Sequence, residues 1–209
     1  MPRNEQTNRN REQTAQHAAG SSGESNAVSD DAALMLAAQR DIALFEPLYA
    51  RYVDRIYSYL RMRAGRDGAD EAADLTQQVF LRALDALPRY QIRAGGSVAA
   101  WLFRIARNAA TDWQRSQRRT VPWEAVPEDL HPCAEDSAES ATLRRDEIAE
   151  VQRLLALLDA TTREALILRF TAQLTLAEIG AVLGISEDAA RKRITRALHT
   201  LKERYHAGI

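Results

Sequence analysis

Residues 174–205, LTLAEIGAVLGISEDAARKRITRALHTLKERY, decide the fold of this chain. Thr175 followed three residues on by Glu178 is a capping box, and Leu174 and Ile179 sit where a hydrophobic staple closes over it, so a helix starts here. Ile179, Val182 and Leu183 share one apolar face, and Gly184 supplies the left-handed conformation that ends a helix without a Cβ clash. Ser186 can cap a second helix. Glu187 and Asp188 suit the positive end of that helix, with Arg191, Lys192, Arg193 and Arg196 further along it. Ala190, Ile194, Ala197, Leu198 and Leu201 recur at steps of three and four, which turns one face inward and leaves Asp188, Lys192, Thr195, Arg196 and His199 outward. A basic amphipathic helix after a tight glycine turn has the geometry that enters a DNA major groove. The competing reading is an ordinary αα-corner with a solvated basic face. Coincidence of the turn signals with the cationic helix favours DNA.

The composition agrees with a helical protein. Of 209 residues, 45% are apolar, 27% charged and 6% aromatic, and Gly and Pro concentrate in the N-terminal region and two connecting stretches. The expectation is an all-α chain of two small helical domains. A net charge of −1 and a pI near 6.4 conceal a segregation of acid from base along the sequence. Cys133 is the only cysteine, which excludes an intramolecular disulfide and a multi-cysteine zinc site and fits a reducing cytoplasm. No apolar run approaches the ~18–20 residues of a membrane helix, and the N-terminus lacks a signal-type apolar core.

Residues 1–29 are polar and have little to bury, which predicts a disordered tail; Arg3, Arg9 and Arg11 make at most a weak basic arm, and His17 is solvated. The first domain is expected over 30–119. Phe45, Leu48, Tyr49, Tyr52, Val53, Ile56, Tyr57 and Leu60 follow the helix repeat, and the tyrosines read as packing residues. The helix from Asp70 to Leu87 turns Leu75, Val79, Ala83 and Leu87 inward and keeps an acidic, amide-rich face, until Pro88 breaks it. In Ser97–Arg119, Leu102, Ile105, Ala106, Ala109 and Trp113 oppose Arg104, Arg107, Thr111, Arg115 and Arg118. Five arginines against the single acid Asp112 make a phosphate-tracking ridge. Trp101, at the border of the core, could stack on an unpaired base.

Residues 120–145, punctuated by Pro122, Pro127 and Pro132 and strongly acidic, read as a linker. His131, Cys133, Glu135 and Asp136 within it lack metal-ligand spacing, so no metal or other cofactor is expected. A second domain over 146–209 resumes helical periodicity through Ile148, Val151, Leu154, Leu155 and Leu158. Thr161 with Glu164 reads as another capping box, opening a helix with Leu166, Ile167 and Phe170. His199 and His206 lack a third ligand and read as surface residues.

Four stretches in this order, LFEPLYARYVDRIYSYL (44–60), DLTQQVFLRAL (74–84), WLFRIARNAATDWQR (101–115) and LTLAEIGAVLGISEDAARKRITRAL (174–198), resemble bacterial RNA polymerase sigma factors of the sigma-70 family, in the extracytoplasmic-function (ECF) group. The resemblance covers residues 30–205. It implies docking of Asp74, Gln77, Phe80 and Arg82 on the clamp helices of the largest polymerase subunit, with a further contact to the flap region. It implies that Trp101, Arg104, Arg107, Asn108, Asp112, Arg115, Arg118 and Arg119 open and hold the promoter minus-ten element. It assigns Glu187, Asp188, Arg191 and Lys192 to minus-thirty-five base edges and Arg193, Thr195 and Arg196 to phosphates, and it implies an anti-sigma factor as regulator. Gln78 stands where the family often has Glu, and Leu158, Asp159 and Ala160 where it often has Leu-Pro.

Two other classes compete with this one. A stand-alone helix-turn-helix regulator has no use for an acidic helix joined to a melting-type ridge. A nucleic-acid enzyme would need a metal cluster, a phosphate loop or a nucleophile with its base, and none is legible.

Overall fold

The computed structural model describes residues 30–65, 68–91, 96–119 and 153–206, leaving aside the side chains of 118, 119, 205 and 206. The tail 1–29, the acidic stretch 120–145 with its His131–Asp136 cluster, Ile148 and Val151 lie outside them. Every regular element among the described residues is helical: α1 (30–38), α2 (Glu46–Ala64), α3 (Ala69–Ala86), α4 (Val98–Arg119), α5 (153–156), α6 (Ala160–Phe170), α7 (Leu176–Leu183) and α8 (Glu187–His206), with short 3-10 turns at Ile42–Phe45 and Leu87–Arg89.

In the first domain α2, α3 and α4 pack together under α1. Leu48, Tyr52, Ile56, Leu60, Leu75, Val79, Ala83, Leu102 and Phe103 form its centre, each at most 4% exposed. The inward stripe of α2 is rotated slightly from the expected one. Tyr49 and Tyr57 are exposed, whereas Tyr59 is fully buried, edge-on to Phe103 at 5.6 Å. Asp31 is buried too, and it is matched by the Tyr52 hydroxyl and Arg51, as a buried carboxylate must be. Pro88 ends α3 in a 3-10 turn, and Gln39 clamps that turn by donating to the carbonyls of Leu87 (2.9 Å) and Tyr90 (2.7 Å).

The second domain contains the helix-turn-helix. Thr175 and Glu178 exchange both bonds of the capping box, and Gly184 ends α7 at φ 70°. The corner depends equally on Gly180. A Cβ there would lie 2.7 Å from the Ile185 carbonyl oxygen, a backbone atom that cannot swing aside. Ser186 then caps α8 through the Ala189 N–H, at 3.2 Å.

Two details of the second domain differ from the sequence expectation. The N-cap of α6 is Asp159, whose carboxylate accepts from Thr161 and Thr162 N–H at 3.1 and 3.0 Å. The helix therefore begins ahead of Thr161, which dissolves the Thr161–Glu164 box and frees Glu164 for another use. Leu198 is 44% exposed rather than inward, and Phe170, at the end of α6, is 59% exposed. For Leu198 the reason is angle: it stands one position past Ala197, at the edge of the stripe whose next member, Leu201, still packs on the core.

Residues 165–168 of α6, Ala-Leu-Ile-Leu, are all buried. Four consecutive helical positions point in every direction, so α6 must be covered on all sides. The first domain supplies part of that cover through α2, and α7 lies against α4 in the same way.

Candidate nucleic-acid and polymerase interface

Three surfaces carry the expected functional residues. On α3, Asp74, Gln77, Gln78 and Arg82 are all exposed, as the pattern requires. Phe80 is not: it is 5% exposed and packs on Tyr49 (4.6 Å) and Phe45 (6.4 Å). The apolar group offered on this face is Leu81, 62% exposed. The helical repeat alone places Leu81 off the buried stripe of Leu75, Val79 and Ala83.

On α4, Arg104, Asn108, Asp112 and Arg115 face outward, while Arg107 is half covered. Arg118 and Arg119 continue the helix, but their side chains fall outside the described residues. Asp112, the one acid on the ridge, is 3.6 Å from Arg82 of α3, so the docking face and the ridge meet at a shared ion pair. Both partners are well exposed, which makes this pair worth little in stability.

Trp101 lies at the amino-terminal end of the ridge, half-buried, with its ring edge-on to Tyr90 at 4.9 Å. The two rings, in contact with each other, help line an open cleft of about 240 Å³ that Arg89 and Arg104 also line. Aromatic surface beside two guanidiniums suits a flat heteroaromatic ring with its phosphate. Burial pushes the Tyr90 hydroxyl pKa up, with a smaller push from the charge of Asp31, so it stays a neutral phenol near pH 7. Tyr90 and Arg89 carry no signal in the sequence, because they sit in a connecting stretch without periodicity. One wall of this cleft comes from the other domain, at Ala181 of α7.

On α8, Glu187, Asp188, Arg191, Lys192, Thr195 and Arg196 are exposed and Arg193 is half covered. The charges are paired one turn apart, Arg191 to Glu187 at 2.8 Å and Lys192 to Asp188 at 3.2 Å. Such pairs hold long side chains in place while costing little to exchange for a base or a phosphate. Arg193 leans toward the α6 cap, 4.0 Å from Asp159.

The two domains coincide with known sequence families. Sigma-70 region 2 matches residues 48–120, and Sigma-70, region 4 matches residues 154–203. The ECF RNA polymerase sigma factor BldN of Streptomyces coelicolor is 34% identical over 185 residues, covering 84% of this chain and 67% of its own. Among solved structures, CnrH in complex with the cytosolic domain of CnrY aligns with a TM-score of 0.63 at 25% identity, over 85% of this chain and 97% of that one. The sigma factor RpoE from Bartonella quintana, solved with the anti-sigma factor NepR, shares the fold with a TM-score of 0.55 at 23% identity, over 76% and 94%. With both regions matched, in this order and on these surfaces, the chain belongs to the sigma-70 family, in its ECF branch.

Proposed function

We infer that this protein binds core RNA polymerase and directs it to promoters, with each domain reading one promoter element. It acts by binding rather than by catalysing a reaction, and it needs no cofactor. The α3 face, through Asp74, Gln77 and Arg82 with Leu81 as its apolar contact, docks on the clamp helices, and Phe80 holds that face from beneath. The second domain meets the flap region. The ridge of α4 tracks the opened minus-ten strand, and α8 lies in the major groove of the minus-thirty-five element.

The observation that supports this reading most is the open cleft lined by Tyr90, Trp101, Arg89 and Arg104. A duplex-only regulator has no use for aromatic walls and guanidiniums arranged for an unstacked base, whereas strand capture requires them. Regulation by an anti-sigma partner belongs to the same reading. No described helix is long and apolar enough to cross a membrane.

Core docking is tested by co-purification. Asp74→Arg and Gln77→Ala, both at exposed positions, are expected to weaken association with core polymerase while the helical circular dichroism signal is retained. Unchanged retention of both variants would remove α3 from the docking surface.

A further inference from the structure

Gln39 lies just past the end of α1, 51 residues before Tyr90 in sequence, yet its side chain bonds the segment that carries Tyr90. The single amide NH2 donates to two carbonyls, Leu87 at 2.9 Å and Tyr90 at 2.7 Å, which uses both of its protons. The Leu87 carbonyl also accepts the Tyr90 N–H at 3.1 Å, closing the 3-10 turn from within. Turn and amide together fix both ends of the segment 87–90.

That segment has little else to hold it. Pro88 has no N–H to donate, Pro88 and Arg89 are exposed, and no helical ladder runs through residues 90 and 91. Connecting segments of this kind are ordinarily the more mobile parts of a domain. A ring that is to meet a base must instead be held to within about 0.5 Å, by neighbours that are themselves fixed.

Helix α1 makes Gln39 such a neighbour. Met35 and Ala38 are buried at 0% and 2% exposure, so the helix is seated along its inner side. At its start the buried Asp31 accepts from the Tyr52 hydroxyl and from Arg51, and Asp30 accepts from the other Arg51 nitrogen at 2.8 Å. Burial pushes the Tyr52 pKa up, so the hydroxyl keeps the proton it donates. At its end the Gln39 N–H donates to the Met35 carbonyl at 3.1 Å, which fixes the backbone from which the amide projects.

We propose that Gln39 is a positioning residue for strand capture: through its amide, α1 holds the 87–90 turn so that Tyr90, in ring contact with Trp101, keeps its place on the wall of the cleft. The proposal rests on the strand-capture reading of that cleft. Gln39 does not line the cleft, so it acts on a bound strand only through the turn. It is half-buried and outside the apolar core, so removing its donors loosens the turn and leaves the packing of α1 on the domain in place.

The test uses the full chain assembled with core polymerase, on the genomic DNA fragment that gives the strongest protein-dependent transcript. Permanganate reactivity of thymines, measured per bound complex, reports strand opening. Gln39→Met keeps the length of the side chain and removes both donors. It is expected to lower opening about threefold to tenfold, the scale of an ordinary hydrogen bond, while helix content and retention on core polymerase stay unchanged. In a Tyr90→Ala background, where opening is already impaired, the same substitution should add little, because two changes acting through one contact are not additive. A merely structural role would lower core retention and opening together, or repeat the full loss in the Tyr90→Ala background. Either result would overturn the proposal, as would unchanged opening with Gln39→Met where Tyr90→Ala lowers it. Unchanged opening with both Tyr90→Ala and Trp101→Ala would instead overturn the strand-capture reading, and silence of the wild type on every fragment would overturn the initiation reading.

Discussion

Helices α4 and α8 both carry arginines along one side, yet they are held in different ways. Helix α8 buries a narrow stripe, Ala190, Ile194 and Ala197, and its acids and bases neutralise one another along the exposed side. Helix α4 is enclosed: Val98, Ala99, Ala100, Leu102, Phe103, Ala106, Ala109 and Ala110 are all buried, because α2 and α3 cover it from one direction and α7 from another. A groove-reading helix must stand clear of its domain to enter DNA. A helix that holds a single strand must be a rigid wall. The roles proposed for α8 and α4 make those two demands, and the alanines of α4 let three neighbours approach closely.

Truncations in the two cores should separate α4 from α8 most strongly. Phe103→Ala is expected to cost about 3–5 kcal/mol, because a fully buried ring beneath Tyr59 leaves a cavity that α4 cannot close. Ile194→Ala on α8 should cost less, near the lower end of the usual range of about 2–5 kcal/mol for such truncations. Denaturant midpoints measure both, and the reverse order would contradict the enclosure of α4.

Next come the DNA contacts. Arg191→Ala is expected to lose about 1–3 kcal/mol of discrimination at one minus-thirty-five base pair if it bonds a base edge. Trp101→Ala should lose about 1–3 kcal/mol of single-strand binding with little dependence on sequence, as stacking does. Competition assays with matched and mismatched promoter fragments separate the two; a uniform loss for Arg191→Ala would make it a phosphate contact.

The corner and the cap give the remaining effects. Gly180→Ala should destabilise the second domain by about 1–3 kcal/mol, since its Cβ would collide with the Ile185 carbonyl. Thermal melting of full-length protein checks this, and an unchanged melt would mean that the corner relaxes freely. Asp159→Ala should cost about 1 kcal/mol, as N-cap truncations do. Hydrogen bonds from Thr162 lower the Asp159 pKa, so its contribution is present above the ordinary carboxylate value and is lost as the pH falls through the lowered one. Wild type and Asp159→Ala should therefore converge in stability in acid.

Local chemistry makes much of this legible. The Thr175–Glu178 box, the Gly184 turn and the α3 stripe are each written within a few residues, and they stand as the sequence predicts. Sequence reasoning falls short where a distant residue decides the outcome. Glu164 looks like a capping residue because Thr161 stands three before it, but its partners are about a hundred residues away on α2. Tyr59 is missing from the inward stripe expected for α2, although it stands three residues after Ile56 and seven after Tyr52 on the buried face, where it meets Phe103 and Glu164. Phe80 carries a family motif position, yet the turn of α3 buries it and exposes Leu81. Tyr90 sits in a stretch without periodicity, and its meaning comes from its ring contact with Trp101.

The central claim is that this chain confers promoter recognition on core polymerase through two domains. Multi-round transcription on fragmented DNA from the source organism, with purified bacterial core polymerase and with or without the protein, tests it most directly. New, sharply initiated transcripts that require the protein, and whose upstream sequences align in two separated elements, are expected. Core binding without any such transcripts, or tight binding of the protein alone to duplex DNA with no effect on polymerase, would contradict it.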